Sequence, residues 1–146
     1  MATRCEEIAA PPRSMTVGTR RPRRLQRPRA KGVDRTPPPG AVYVGRPSLW
    51  TNPFRFEKFG HVRSVRLHQM WLAGELTPRM LRRLGFGQAE IMALYRLRTR
   101  VLRRIEQLRG LDLQCWCSPR TPHCHAITLM RLANMPADLR GRGCRG

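Results

Sequence analysis

The sequence predicts a small single-domain α/β fold, a short sheet packed by three or four helices and preceded by a disordered basic N-terminal arm. Three observations lead there. Two short stretches with strand character, residues 41–45 and 111–116, stand far apart in the chain. Between and after them, apolar residues recur at steps of three and four, the period of a helix with one buried face. The chain has 146 residues, which is room for one ordinary domain and not comfortably two.

Composition sets further bounds. Apolar residues make up 40% and aromatics 6%, with 13 prolines and 12 glycines, so one modest core is expected. The 29 basic residues face 9 acidic ones, a formal net charge of +20. Only Lys31 and Lys58 are lysine and the other 27 are arginine. A GC-rich genome explains arginine in place of lysine but not the shortage of acids. Nucleic acid is the polyanion that fits this charge best, through phosphate neutralisation and counterion release. No apolar run approaches the roughly 18 residues of a membrane span, and no signal peptide is visible. The expectation is a cytoplasmic protein without a membrane partner, whose clustered cysteines serve metal binding or reactivity rather than disulfides.

Residues 1–39 carry ten basic residues and end in Pro37, Pro38 and Pro39. Proline at that density disfavours helix and strand ladder alike, so the segment reads as an arm outside the domain. It is either a solvated tail, with Met15 as an alternative start, or an arginine-rich arm on nucleic acid. The domain is expected over residues 40–136, with residues 137–146 as a flexible tail.

Residues 41–45 have β-branched and aromatic character and predict a strand. Gly45, Pro47, Asn52 and Pro53 then force a loop anchored by Trp50 and Phe54. In that loop Gly45 allows close backbone approach and Arg46 can grip an anion. Residues 62–73 predict a helix with Val62, Val65, Gln69 and Leu72 on its inner stripe and Trp71 beside it, and His68 reads as a packed or exposed residue. Thr77 as N-cap, Pro78 at the first helical position, and Leu76 with Leu81 as a hydrophobic staple mark a second helix. A long helix is predicted over 88–109, burying Ile91, Leu94, Val101, Leu102, Ile105 and Leu108 and exposing Arg96, Arg100, Arg103 and Arg104, with Gly110 ending it. Residues 111–116 predict the second strand. A last helix from about Cys124, with Ala126, Ile127, Leu129, Met130 and Ala133 inward, closes at Pro136.

The chemistry concentrates in "LQCWCSPRTPHCHAITLM". Cys115, Cys117, His123, Cys124 and His125 fall within eleven residues, whereas Cys5 and Cys144 lie near the ends. Side chains alternate along a strand, so Cys115 and Cys117 face one way while Trp116 faces the other as a core anchor. Pro119 and Pro122 shape a return loop that brings Cys124 and His125 to a helix start. Three readings stand. The set Cys115, Cys117, Cys124 and His125 can hold zinc, three thiolates and an imidazole being a familiar tetrahedral combination, although the spacing is shorter than in common zinc modules. Cys124 at a helix N-terminus can be a nucleophile with His125 or His123 as its base, or the same helix start can hold a phosphate. The cysteines can also be small buried hydrophobes in a tight corner.

The segments "VYVGRPSLWTNPF", "HQMWL" and "LRGLDLQCWCSPRTPHCHA", in that order over residues 41–134, resemble the domain of unknown function 4326 family of bacterial and phage proteins. The resemblance implies a compact α/β domain in which Gly45, Arg46, Asn52, Cys115, Cys117, Cys124 and His125 line one site. This chain departs from the pattern at Thr51, where the family usually has Gly, and at Ile127, where an acid usually follows the Cys-His pair. If that acid is a ligand or base in the family, its loss here alters the site.

Two functional expectations follow. One is a protein that binds or acts on a nucleotide-like or phosphorylated ligand, with Gly45, Arg46 and Asn52 as ligand-binding residues and the Cys/His cluster as metal site or nucleophile. The other is a non-catalytic nucleic-acid-binding protein, in which arm and arginines provide affinity and the cysteines hold a structural zinc.

Overall fold

The computed structural model describes residues 20–140. Its sheet has three strands, β1 (Arg24–Gln26), β2 (Ala41–Tyr43) and β3 (Asp112–Cys115), in the order β1-β3-β2 with both pairings parallel. Leu25 lies opposite Gln114 on one side of β3, and Val42 lies opposite Leu113 on the other. Parallel neighbours cannot be joined by a hairpin, so a long crossover must separate β2 from β3. That crossover holds α1 (Phe56–Phe59), α2 (His61–Ala73), α3 (Pro78–Arg83) and α4 (Gln88–Arg104), then a tighter 3-10 turn over Ile105–Leu108. After β3 come α5 (His125–Asn134) and α6 (Ala137–Arg140). The α/β architecture expected from the sequence is therefore present. Among the described residues no helix is long and apolar enough to cross a membrane.

All four residues of the central strand are buried, as a parallel strand paired on both edges requires. Leu113 packs in the core, and Asp112 at the strand's start is held by the chain that precedes β1. Its carboxylate accepts the Arg23 amide at 2.8 Å and is bound by the Arg20 guanidinium. The core joins Phe54, Trp71, Leu81, Ile91, Leu108, Leu113 and Leu129 from loop, helices and strand. Phe54 sits edge-on to Trp71 at 6.0 Å, and the Trp71 indole N–H donates to Leu94 O at 3.2 Å. The α3 start follows its signals, with the Thr77 hydroxyl accepting from the Met80 amide at 3.2 Å.

Five expectations need correction. The arm was placed outside the domain over residues 1–39, yet residues 24–26 form an edge strand. Proline discourages strand only where the missing N–H is needed, and between Pro22 and Pro28 three residues suffice to pair with β3 along one side. Residues 1–19 lie outside the described residues. The inner stripe of α2 is Ser64, Leu67, His68, Trp71 and Leu72, while Val62 is 55% exposed. Two polar residues on the buried face shifted the apparent hydrophobic phase. Trp116 is half-buried rather than a core anchor, because it stands beside arginines of the chain that follows β1: Arg27 and Arg35 each place a guanidinium 5.4 Å from its ring. Residues 137–140 of the expected tail form a helical turn tied by Arg140 to Glu106 at 2.6 Å, and residues 141–146, with Cys144, lie outside the described residues. The long helix also ends earlier than its periodicity suggested, at Arg104, and Gly110 takes its positive φ of 74° after the 3-10 turn.

Candidate functional site

In an open parallel sheet, the loops leaving the carboxyl ends of the strands form the crevice where ligands sit. Here β2 runs out into Val44, Gly45 and Arg46, and β3 runs out into Trp116 and Cys117. A cavity of about 260 Å³ lies between these loops and the first turns of α1 and α2. Gly45, Arg46, Asn52, Cys115, Cys117 and His125 all line it, together with Glu57, His61 and Ser64. Six of the seven residues expected to share a site thus meet around one space. The seventh, Cys124, is wholly buried behind it.

The three clustered thiols converge. The Sγ atoms of Cys115, Cys117 and Cys124 all lie within 4.8 Å of one another, and Cys115 and Cys124 are 3.3 Å apart. Alternation along β3 aims Cys115 and Cys117 at the same space, and the return loop delivers Cys124 as the residue before α5. Their acidities divide. Cys124 is held well below the ordinary thiol range because it accepts hydrogen bonds from the Cys115 and Cys117 thiols, with His125 adding to this against the opposing effect of burial. Cys115 is pushed far up by its contacts with Cys117 and Cys124 and by burial. At Cys117 the contact with Cys115 lowers the value, but Cys124 and burial outweigh it and the thiol is raised. Three sulfurs so placed can hold a metal ion.

The histidines take different positions. His125 stands outside that three-sulfur group: its Nε2–H donates to Val44 O at 2.8 Å, which fixes the ring beside Cys124 and braces α5 against the end of β2. His123 is exposed, and its carbonyl accepts from His61 Nε2 at 2.6 Å. His68 is packed, 1% exposed, with its ring 5.6 Å from that of His125 and its Nδ1 lacking a hydrogen-bond partner. Burial holds its imidazole well below the usual histidine range; His125 reinforces this and Cys124 opposes it.

The loop residues expected to bind ligand have specific local duties. A Cβ on Gly45 would lie 2.7 Å from Tyr43 Cζ, so glycine is required for the tyrosine to fold over the turn and donate to Arg46 O at 2.8 Å. That reason is independent of any ligand. Asn52 uses its amide on α2 and on its own loop, donating to Ser64 Oγ at 3.0 Å while its Oδ1 accepts the Phe54 amide at 2.9 Å. It positions the cavity wall. Arg46 is exposed at the rim. Thr51 donates to Gly45 O at 3.0 Å and Ser48 O at 2.8 Å, stitching the loop closed. Ile127 is partly buried against the core.

Sequence reasoning missed Phe56, Glu57 and His61 in the cavity wall. Phe56 and Glu57 belong to the short helix α1 and His61 is the first residue of α2, where no motif or periodicity distinguishes them. The one available signal was Gly60, whose φ of 76° turns the chain so that α1 and the start of α2 face the same loop ends.

Comparison with known proteins agrees with this geometry in extent. The family model described as Domain of unknown function (DUF4326) matches residues 25–135. The match begins inside β1 and ends just past α5, covering sheet, crossover and thiol cluster, and the chain belongs to that family. No curated protein and no solved structure matches it.

Proposed function

We propose that this member of the family is a zinc-dependent site protein whose cavity binds, and positions for reaction, a small phosphorylated or nucleotide-like ligand. The observation that carries the reading is the three-sulfur cluster at the floor of an open cavity. Three thiolates suit zinc, whose bonds to sulfur of about 2.3 Å require sulfur–sulfur edges of about 3.8 Å in a tetrahedron. Cys115 and Cys124, at 3.3 Å, need to part by only about 0.5 Å. Cys115 and Cys117 also line the cavity, so a zinc held by the three sulfurs would be reachable from it. Three protein ligands with one open position is the pattern of reactive zinc sites rather than closed structural ones. Zinc there would supply a Lewis acid. The chain's own contributions are Arg46 at the rim as a cation, His125 bracing the cluster from Val44, and Glu57 as a carboxylate within the same cavity.

A second reading has its own support. Arg96, Arg100 and Arg103 lie along one exposed face of α4 around a shallow depression, a spacing suited to successive phosphates of a nucleic acid. In that reading the zinc is structural.

The test is metal content together with thiol accessibility on protein purified under reducing conditions. The expected result is one equivalent of zinc, with Cys115, Cys117 and Cys124 protected from a thiol reagent until a chelator is added. Absence of stoichiometric metal, with three thiols equally inert before and after chelation, refutes the metal reading and leaves a packed corner. Co(II) substitution separates the two zinc roles: an open site changes its visible spectrum when small anions are added, a closed one does not.

A further inference from the structure

A second cavity, of about 690 Å³, adjoins the first on the opposite side of the β3 exit. Phe56, His61, Trp116 and Cys117 line both, so the two are compartments of one groove. Sheet order explains the arrangement. With β3 in the centre, the first compartment lies over the ends of β3 and β2, and the second over the ends of β3 and β1. The chain leaving β1 therefore contributes Arg29 to the second wall, where Ser118 and Thr121 supply hydroxyls.

The compartments differ in charge. The first is lined by Cys115, Cys117, Glu57 and Arg46, whereas the second has Arg29 and no acid among its lining residues. Arg27 and Arg35 flank Trp116 beside it. Arg29 commits one donor to Trp116 O at 3.1 Å, and a guanidinium has five. At the boundary stand two aromatic rings, Trp116 and the 59%-exposed Phe56. A large exposed ring over a cavity has no role in the core, but it is the platform on which a flat heterocycle stacks.

We propose that this groove takes a nucleoside phosphate, with the base stacked at Phe56 and Trp116, the phosphate at Arg29, and the polar edge of the base directed toward the thiol compartment. The cations set the direction, because Arg29, with Arg27 and Arg35 beside it, draws the phosphate to the second compartment. The proposal rests on the reading of the thiol compartment as the reactive end of the same ligand, and names that ligand's chemical class.

The test is calorimetric titration of the full, zinc-loaded chain with the four common nucleoside monophosphates, ribose 5-phosphate, inorganic phosphate and a four-nucleotide single strand. At least one mononucleotide or the strand is expected to bind, five- to a hundred-fold tighter per base unit than ribose 5-phosphate, the contribution expected of one stacked base. Trp116→Leu and Phe56→Leu should each remove most of that advantage without changing zinc content or ribose 5-phosphate affinity. Arg29→Ala should weaken nucleotide and ribose 5-phosphate alike. A strand bound more than ten-fold tighter than any monomer, with affinity falling steeply as salt rises, assigns the ligand to nucleic acid; equal affinities assign it to free nucleotides. Ribose 5-phosphate binding as well as every nucleotide, indifference to Trp116→Leu, or zinc-loaded protein that binds neither nucleotide nor strand overturns the proposal. Nucleotide binding that depends on Trp116 in protein that holds no zinc sustains the stacking subsite and refutes the metal reading instead.

Discussion

Asp112→Ala should detach β1 without unfolding the domain. The Asp112 side chain is 7% exposed, and its carboxylate holds both the Arg23 amide and the Arg20 guanidinium. Arg20 is half-exposed, so its ion pair contributes about 0–1 kcal/mol. A hydrogen bond from a backbone amide to a buried carboxylate contributes about 1.5–3 kcal/mol. The sum is about 1.5–4 kcal/mol, acting on a three-residue edge strand. The remaining bonds across this edge include Leu113 N to Arg23 O at 3.0 Å and Arg27 N to Cys115 O at 2.7 Å. Hydrogen exchange of those two amides should quicken roughly 10- to 700-fold, since about 1.4 kcal/mol is a factor of ten. Amides of the α2 and α5 interiors, packed on the far side of β3, should keep their protection. Asp112→Asn retains an acceptor for Arg23 and should give the smaller part of the effect. If Leu113 exchanges no faster in Asp112→Ala, or if α2 and α5 quicken equally, the account of β1 as a separately pinned edge strand is refuted.

Three further outcomes can be checked. Gly45→Ala should cost about 1–2 kcal/mol in urea denaturation by displacing Tyr43 from its bond to Arg46 O and from the Arg27 guanidinium 3.8 Å above its ring; the cost should shrink in a Tyr43→Ala background. Thr77→Ala should lower stability by about 1 kcal/mol while Thr77→Ser stays near wild type, because the α3 start rests on one hydroxyl accepting the Met80 amide. Zinc binding should release protons, because thiols must ionise to coordinate the metal. Its affinity should accordingly fall as pH is lowered, about ten-fold per unit for each proton released; proton release in weak buffer measures the number directly.

Legibility in the sequence followed the kind of signal each element carries. The α3 start was readable because Thr77, Pro78, Leu76 and Leu81 act locally, each through one or two neighbours. The pairing of Cys115 with Cys117 on one face was readable because strand alternation is a property of the backbone. The strand β1 was not, because in Arg24–Gln26 only Leu25 is apolar and its partner β3 is nearly ninety positions away; nothing local distinguishes it from an arginine-rich tail. The face of α2 was misread because its buried stripe includes Ser64 and His68. Ser64 is accommodated by donating to Phe54 O and accepting from Asn52, bonds that composition cannot foresee. Convergence of Cys124 on the other thiols was foreseeable from the return loop, but the diversion of His125 Nε2 to Val44 O depends on where β2 ends relative to α5.

The Cys-Trp-Cys segment has a consequence that only the sheet order reveals. Cys115 is the last residue of the central strand, so its neighbours on the two sides are the exits of β2 and β1. The chain that follows β1 brings Arg27 and Arg35 beside Trp116, each guanidinium 5.4 Å from its half-buried ring. Trp116 and Cys117 then form the wall common to both compartments, and Cys115 faces the first alone. The segment that contributes two of the three clustered sulfurs thus also divides the groove. Displacement of β1 in Asp112→Ala should for that reason loosen the wall shared with the thiol compartment, and carry with it the Arg24 charge that acts on Cys117.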